Sequence, residues 1–396
     1  MMKRQRWSWV VLNQSPTPAF LEMIDRLATD LGPCLCLIGK QLSVERDSAV
    51  TVEVGPRYDR RSRRSRARSW AAFSLFAARR VLALQGRPFL FAVTNPPTMP
   101  YLSWLANRVH GLRFGILVWD IYPDHMVQMG WLRRDGTLRA AWDRLNGETL
   151  ERSSLVVTIG ETMRSALREK LKRRARSIEV IPNWVDTKVF KPSDKRESAL
   201  AQRLGQREKF TVLYSGNFGG SHELASLPRA AELLSGNPRV HFLLVGEGFS
   251  KNSIEAEVRQ RGLDNVTLLP RQPWEDLPEL LACADAAIVA QKQGTERLSV
   301  PSKTYYLLAA GVPILAISPA GGEVAQLVER EGVGRQVEPG DAQGLTAAVT
   351  ALEANEPHRR EMARRARQIA ERDYDKDVVF GQLHRALRAA MQGGVS

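Results

Sequence analysis

What most constrains the fold of this chain is an alternation that runs through its whole length. Six short apolar runs in the first half (WSWVVLN, PCLCLIG, FLFAVTN, GILVWD, LVVTIG and IEVIPN) are matched by five in the second (FTVLYSG, VHFLLVGEG, NVTLLP, AAIVAQ and PILAIS). Most are followed by a polar turn and then by a helix-like segment such as LASLPRAAELLSG or VAQLVEREG. Strands separated by helical segments run parallel, and a parallel sheet is covered on both faces. The pattern therefore predicts an α/β protein built on parallel sheets. The 396 residues suffice for two domains with full cores. Between Asn183 and Lys209 the composition shifts to NWVDTKVFKPSDKRES, with Pro, Asp and Lys clusters and no apolar period, as a connector would read. The expected organisation is a Rossmann-like domain over 1–190, a linker over 191–208 and a second Rossmann-like domain over 209–372. A cleft between the two domains is the expected binding site.

Charge narrows the class of partner. The 57 Lys and Arg against 43 Asp and Glu give a formal net charge of +14, which favours anionic partners: phosphorylated substrates, anionic lipid or nucleic acid. Cys34, Cys36 and Cys283 make neither a disulfide framework nor a zinc ligand set, and the six histidines are scattered, so no metal site is expected. The apolar run after the charged start MMKRQRWSWVVL is too short for a signal peptide, and no stretch is long enough to span a bilayer. A cytoplasmic protein is expected.

Two segments are suited to hold an anion. In LSVPSKTYYLLAAGVPILAI, Leu298 to Ile317, a loop leads into a short helix, a turn and a strand. Ser302 stands where a side chain caps a helix, and Lys303 puts a cation where the helix dipole alone prefers an anion. A bound phosphate would reconcile the two. In the loop Gly216-Asn217-Phe218-Gly219-Gly220, glycines let backbone N–H groups approach a phosphate. An ordinary αβ loop and a plain βα turn are the simpler readings of the same residues.

Taken in order, IPNWVDTKVFKP, LYSGNFG, LLVGEG, LPRQPWEDLPELLACADAAIV, SVPSKTYYLLAAGVPIL and GVGRQVEPGD resemble the motifs of glycosyltransferase family 4, which has the GT-B fold. TNPPTMP and WDIYPDHMVQMG look like the branch that builds bacterial extracellular polysaccharide, O-antigen and colanic-acid type glycans. The resemblance implies a retaining transfer of a sugar from a nucleotide diphosphate donor to an acceptor hydroxyl, with no cofactor and no bound metal. It places the donor in the second domain and the acceptor in the first, facing a central cleft. It also implies that a last helix, within 373–396, packs back on the first domain.

Donor residues follow from the resemblance together with the chemistry of a departing diphosphate, which needs fixed positive groups. They are Gly216, Asn217, Gly219, Gly220, His222, Arg271, Lys292, Ser302, Lys303, Tyr306 and Glu323. The chain departs from the family at several of these. The usual arginine and lysine after the first strand of this domain fall on Asn217 and His222, and the usual pair of glutamates falls near Leu298 and on Tyr306. Arg271 and Lys292 are candidate replacements for the lost charge, and Glu323 for the lost carboxylate; each also reads as solvated surface or a helix-start carboxylate. In the first domain Asp120 ends a strand, with Asp124 and His125 on the next loop, and is the candidate to position or deprotonate the acceptor hydroxyl. A turn-capping aspartate is the alternative. The first loop, Asn13 to Pro18, lacks the glycine pair that many relatives carry.

Arg57 to Arg68, RYDRRSRRSRAR, carries seven arginines against one aspartate and precedes an aromatic helix. Arg61, Arg63, Arg64, Trp70 and Phe73 are the expected contacts with anionic membrane at the inner face of the plasma membrane, where a lipid-linked glycan acceptor would lie. The competing reading packs the aromatic face onto the domain. Nucleic acid is not expected, because no recognition motif accompanies the charge. A soluble acceptor, or a non-catalytic protein that binds nucleotide sugars, stays open as an alternative.

Overall fold

The computed structural model describes residues 6–42, 48–59, 61–171 and 177–393; the N-terminal MMKRQ and Arg60 of the arginine run lie outside them. The chain divides into two compact units, Met1–Ile181 with Phe380–Ser396, and Pro182–Val379.

The first unit holds strands β1 (Trp9–Asn13), β2 (Cys34–Ile38), β3 (Val50–Val54), β4 (Phe89–Val93), β5 (Phe114–Val118), β6 (Leu155–Thr158) and β7 (Ile178–Val180). They form one parallel sheet in the order β3-β2-β1-β4-β5-β6-β7. The second unit holds β8 (Phe210–Asn217), β9 (Val240–Glu247), β10 (Val266–Leu269), β11 (Ala286–Ala290), β12 (Ile314–Ile317) and β13 (Gly334–Val337). Its sheet is also parallel, ordered β10-β9-β8-β11-β12-β13. Both sheets reverse direction beside their first strand, the doubly wound Rossmann pattern. Every residue of β1, β2, β4, β5, β11 and β12 is buried, which is why these strands read as unbroken apolar runs.

All eleven apolar runs are strands. The two strands that the sequence pattern missed, β3 and β13, are edge strands. An edge strand needs only partial cover, and VTVEV and GRQV mix buried with exposed positions accordingly.

Residues 191–208 correct the expected linker, because they are an ordered part of the second unit. The Lys195 amine, largely buried, donates to Asp285 at 2.5 Å, to the Thr211 hydroxyl at 2.8 Å and to the Lys209 carbonyl at 2.7 Å. Ser198 accepts from the Ala201 N–H and caps a helix over Ala199–Arg203. The polar composition reflects a buried ion pair and a cap, and the break between units falls after Ile181. The last helix, Lys376–Gln392, enters the first unit at Phe380, where the Arg26 guanidinium lies 5.2 Å from the ring and Arg113 donates to the Met391 carbonyl at 3.3 Å.

Candidate functional site

A cavity of about 490 Å³ opens within the second unit, at the C-terminal ends of β8 and β9 and beside β11. It lies at the point where the strand order reverses, the place where doubly wound sheets receive ligands. Its floor is apolar: Leu213, Val245, Leu277, Leu280, Ile288 and Leu307. Polar groups gather on one side, and two of its lining residues, Arg271 and Lys303, are formal cations. Among the described residues, no aspartate or glutamate lines it.

Glycine makes the polar side possible. Gly216 and Gly246 are register partners at the ends of β8 and β9, with φ of 156° and 147°. A Cβ on Gly246 would stand 1.8 Å from the Gly216 carbonyl oxygen, and one on Gly216 would stand 2.5 Å from the Lys303 amine. The two strands thus run to their last residues side by side, with bare backbone under the cavity. Tyr214 ties the turn down by donating its hydroxyl to the Asn217 carbonyl at 2.7 Å.

Lys303 is the unusual residue of the site. Its Nζ is shut off from solvent, has no hydrogen-bond partner among the described residues, and lies 3.9 Å from the centre of the Tyr214 ring. Burial lowers its pKa to about 7. A buried ammonium with no anion beside it is costly, so this side chain is arranged for a charge that arrives from outside. His222 lies close by. Burial, and then the Lys303 charge, push its pKa down to about 4, so its ring is neutral at physiological pH. His222 is thus a neutral hydrogen-bonding group beside the Lys303 amine.

Seven of the eleven expected donor residues line this one cavity: Gly216, Asn217, His222, Arg271, Ser302, Lys303 and Tyr306. The other four do not. Gly219 and Gly220 form the turn below it, where the His222 N–H donates to the Gly219 carbonyl at 3.1 Å. The Lys292 side chain is exposed, and its backbone N–H donates to the Ser221 carbonyl at 2.8 Å. Glu323 starts the helix Glu323–Glu331, and its charge acts on Tyr305, Tyr374 and Arg330. Ser302 lines the cavity but does not cap: its backbone is helical and its hydroxyl makes no capping bond, which frees it for a ligand.

Sequence reasoning named Tyr306 but missed Trp274, which lines the cavity beside it, and the buried Phe190, which packs against both. The rings of Phe190, Trp274 and Tyr306 meet with centroid distances of 5.7, 4.9 and 5.2 Å, and Trp274 is 56% exposed.

In the first unit, Asp120 stands just beyond β5, its N–H 3.3 Å from the Thr94 hydroxyl oxygen. The space beside it, lined by Tyr101, Tyr122 and Asn146, is about 10 Å³, room for a single water. The end of β1 is filled rather than open. The buried Gln14 donates to the carbonyls of Pro56 at 3.1 Å and Ser69 at 2.9 Å.

The aromatic helix corrects part of the expected membrane face. Ser62 and Ser65 form a capping box that starts the helix Arg63–Leu82. Its core face is Ser69, Phe73, Ala77 and Val81. Phe73 has no exposed surface and is unable to touch a membrane. Trp70 is half-buried, stacked on Tyr58 at 6.2 Å and packed against Tyr122 and Trp131. Arg63 lies over the Trp131 ring, Arg61 pairs with Asp59 at 2.7 Å, and Arg64 is exposed. The solvent face of this helix is instead Arg64, Arg68, Leu75, Arg79 and Leu82, all within an arc of about 60° at 3.6 residues per turn.

Two parallel-sheet α/β domains, the second with a basic and largely apolar cavity at its switch point, define a protein of the GT-B type. The family model for Glycosyl transferases group 1 matches residues 195–369, and that for a Glycosyl transferase 4-like domain matches residues 19–184. WcaI of Escherichia coli (strain K12) is 32% identical over 291 residues, which cover 72% of this chain and 70% of WcaI. WbjE of Pseudomonas aeruginosa is 26% identical over 256 residues, 65% of this chain; the chain spans 64% of WbjE's length. Both are provisionally assigned as glycosyltransferases, WcaI in colanic acid biosynthesis. HepE of Anabaena, solved with UDP, superposes with a TM-score of 0.74 over 96% of this chain and 100% of its own, at 19% identity. The chain belongs to glycosyltransferase family 4.

Proposed function

We propose that this protein transfers a sugar, with retention of anomeric configuration, from a nucleoside diphosphate donor to a hydroxyl of a lipid-linked or glycan acceptor in cell-surface polysaccharide synthesis. The observation that carries the reading is the buried Lys303 amine, without a hydrogen-bond partner among the described residues, facing bare glycine backbone in a cavity that no described carboxylate lines. The diphosphate lies over Gly216 with its charge on Lys303 and Arg271, and its nucleoside runs along the apolar floor. HepE, of the same fold, was solved with UDP and with UDP-glucose.

In the reaction the bond between the anomeric carbon and the phosphate oxygen breaks, and its electron pair leaves with the diphosphate. The acceptor oxygen bonds to the carbon on the same face and gives up its proton. Lys303 and Arg271 lower the barrier by meeting the negative charge as it develops. Asp120 positions the acceptor hydroxyl or takes its proton. Following the family resemblance, the proposed reaction uses no cofactor and no metal.

For location, we propose peripheral attachment to anionic membrane at the inner face of the plasma membrane through the solvent stripe Arg64, Arg68, Leu75, Arg79 and Leu82. Leu75 and Leu82 are 55% and 63% exposed between the arginines, a mixture suited to a lipid headgroup layer. No described helix is long and apolar enough to cross a membrane.

Radiolabelled transfer from UDP- and GDP-sugars to lipid extract tests the reaction, with proton NMR of the product reading anomeric configuration. Product with the donor's configuration, formed equally in EDTA, is expected. An inverted product would end the retaining mechanism, and activity that vanishes in EDTA and returns with magnesium would end the metal-free one. Nucleotide binding without transfer to any acceptor would move the non-catalytic alternative ahead.

A further inference from the structure

The aromatic wall does something the polar side does not explain. Tyr306 follows Lys303 by three residues on one helix, about 4.5 Å further along the axis on the same face. Both line the same cavity, so a nucleotide whose diphosphate lies on Lys303 has Tyr306 within reach of its pentose. There it meets a phenol locked between Phe190 and Trp274, with ring centroids 4.9 and 5.2 Å away. None of the described residues lining the cavity is a carboxylate.

Vicinal hydroxyls of a ribose are gripped most strongly by a carboxylate, which accepts from both at once in charge-assisted bonds. A cavity that lacks one reads the pentose through flat ring contact, which a 2′-hydroxyl barely changes. A site built to bond a hydroxyl rejects the analogue without it by orders of magnitude, whereas an apolar wall discriminates weakly. We propose that the ring of Tyr306, backed by Trp274, leaves the cavity indifferent to the 2′-hydroxyl, so that it accepts 2′-deoxyribonucleoside diphosphates, the thymidine class, as readily as ribonucleoside diphosphates. This rests on the donor-site reading above and names the substrate class that follows from it.

Calorimetric titration of the full chain with matched pairs, UDP against 2′-deoxy-UDP and GDP against 2′-deoxy-GDP, tests it. Within whichever pair binds, the two dissociation constants should agree within about threefold. Tyr306→Glu should shift the ratio at least tenfold toward the ribonucleotide, while Tyr306→Phe should leave it unchanged. A wild-type preference of tenfold or more for the ribonucleotide overturns the inference alone and leaves the donor site standing. Absence of binding by all four nucleotides would overturn the donor-site reading and this inference with it.

Discussion

Both sheets of this protein reverse their strand order beside the first strand, yet the two reversal points are chemically opposite. In the second unit the ends of β8 and β9 are bare glycine backbone, a cavity of about 490 Å³ opens over them, and a partnerless amine waits inside. In the first unit the side chain of Gln14 occupies the corresponding end of β1, bonded to two carbonyls, and the space by Asp120 is about 10 Å³. Topology places a possible site at each sheet; the residues at the strand ends decide whether there is room and what charge fits. Glycine leaves the second end open and electropositive, while glutamine closes the first by satisfying backbone groups internally.

The comparison breaks most visibly if the glycine pair is altered. Gly246→Ala sets a methyl against the Gly216 carbonyl in a backbone region that favours glycine. It should cost about 3–5 kcal/mol of stability, from strain plus overpacking, in urea unfolding. A loss under 1 kcal/mol would show that the strand ends are not held together.

Lys303→Met separates binding from stability. Nucleoside diphosphate affinity should fall by about 10- to 150-fold, the value of a bond to a charged group, while nucleoside affinity stays within twofold. Equal losses for both ligands would show that Lys303 does not meet the phosphates. The same variant should melt higher without ligand. The folded pKa near 7 lies below the ordinary lysine value of 10.5, so the unfolded chain holds this proton more tightly. The penalty is complete below about pH 7 and fades as pH rises from 7 toward 10.5. At pH 6 the variant should gain about 2–4 °C for each kcal/mol of penalty removed, and the gain should shrink by pH 9 in differential scanning fluorimetry.

A smaller effect sharpens the contrast from the closed side. Gln14→Leu leaves the Pro56 and Ser69 carbonyls without their donor and should cost about 1–3 kcal/mol. Nucleotide affinity, measured by calorimetry, should not change. If it does, the closed end is coupled to the donor site.

The smallest effects lie on the outer stripe of the aromatic helix. Replacing Arg64, Arg68 and Arg79 together with Gln should weaken co-sedimentation with anionic liposomes by about 1 kcal/mol per residue, with the wild-type binding falling as salt is added. Trp70→Ala should leave membrane binding intact and instead destabilise the fold, since that ring is packed against Tyr58, Tyr122 and Trp131. Salt-independent binding, unchanged in the Gln variant, would place the arginines in a merely solvated face.

The buried strands were legible in the sequence because a strand covered on both faces must be apolar at every position, and eleven such runs can form little else. The family motifs picked out Gly216, Ser302, Lys303 and Tyr306, which line one cavity of the second unit, since residues at strand ends and helix starts keep their place whenever the strands form. What the sequence could not supply was the company each residue keeps. Lys292 and Glu323 have the right chemistry and follow strands, but only three-dimensional packing decides that one points to solvent and the other toward Tyr305 and Tyr374. Phe73 and Trp70 read as a membrane face because helical period shows an amphipathic stripe without saying what covers it. The segment 191–208 read as a linker because Lys195 and Asp285, ninety residues apart, form an ion pair that no local composition reveals. The partnerless state of the Lys303 amine, and the wall formed by Phe190, Trp274 and Tyr306, likewise exist only once distant segments meet. Local sequence determines which elements form and what their ends can donate; desolvation and partnership, which set charge state and exposure, are properties of the packed structure alone.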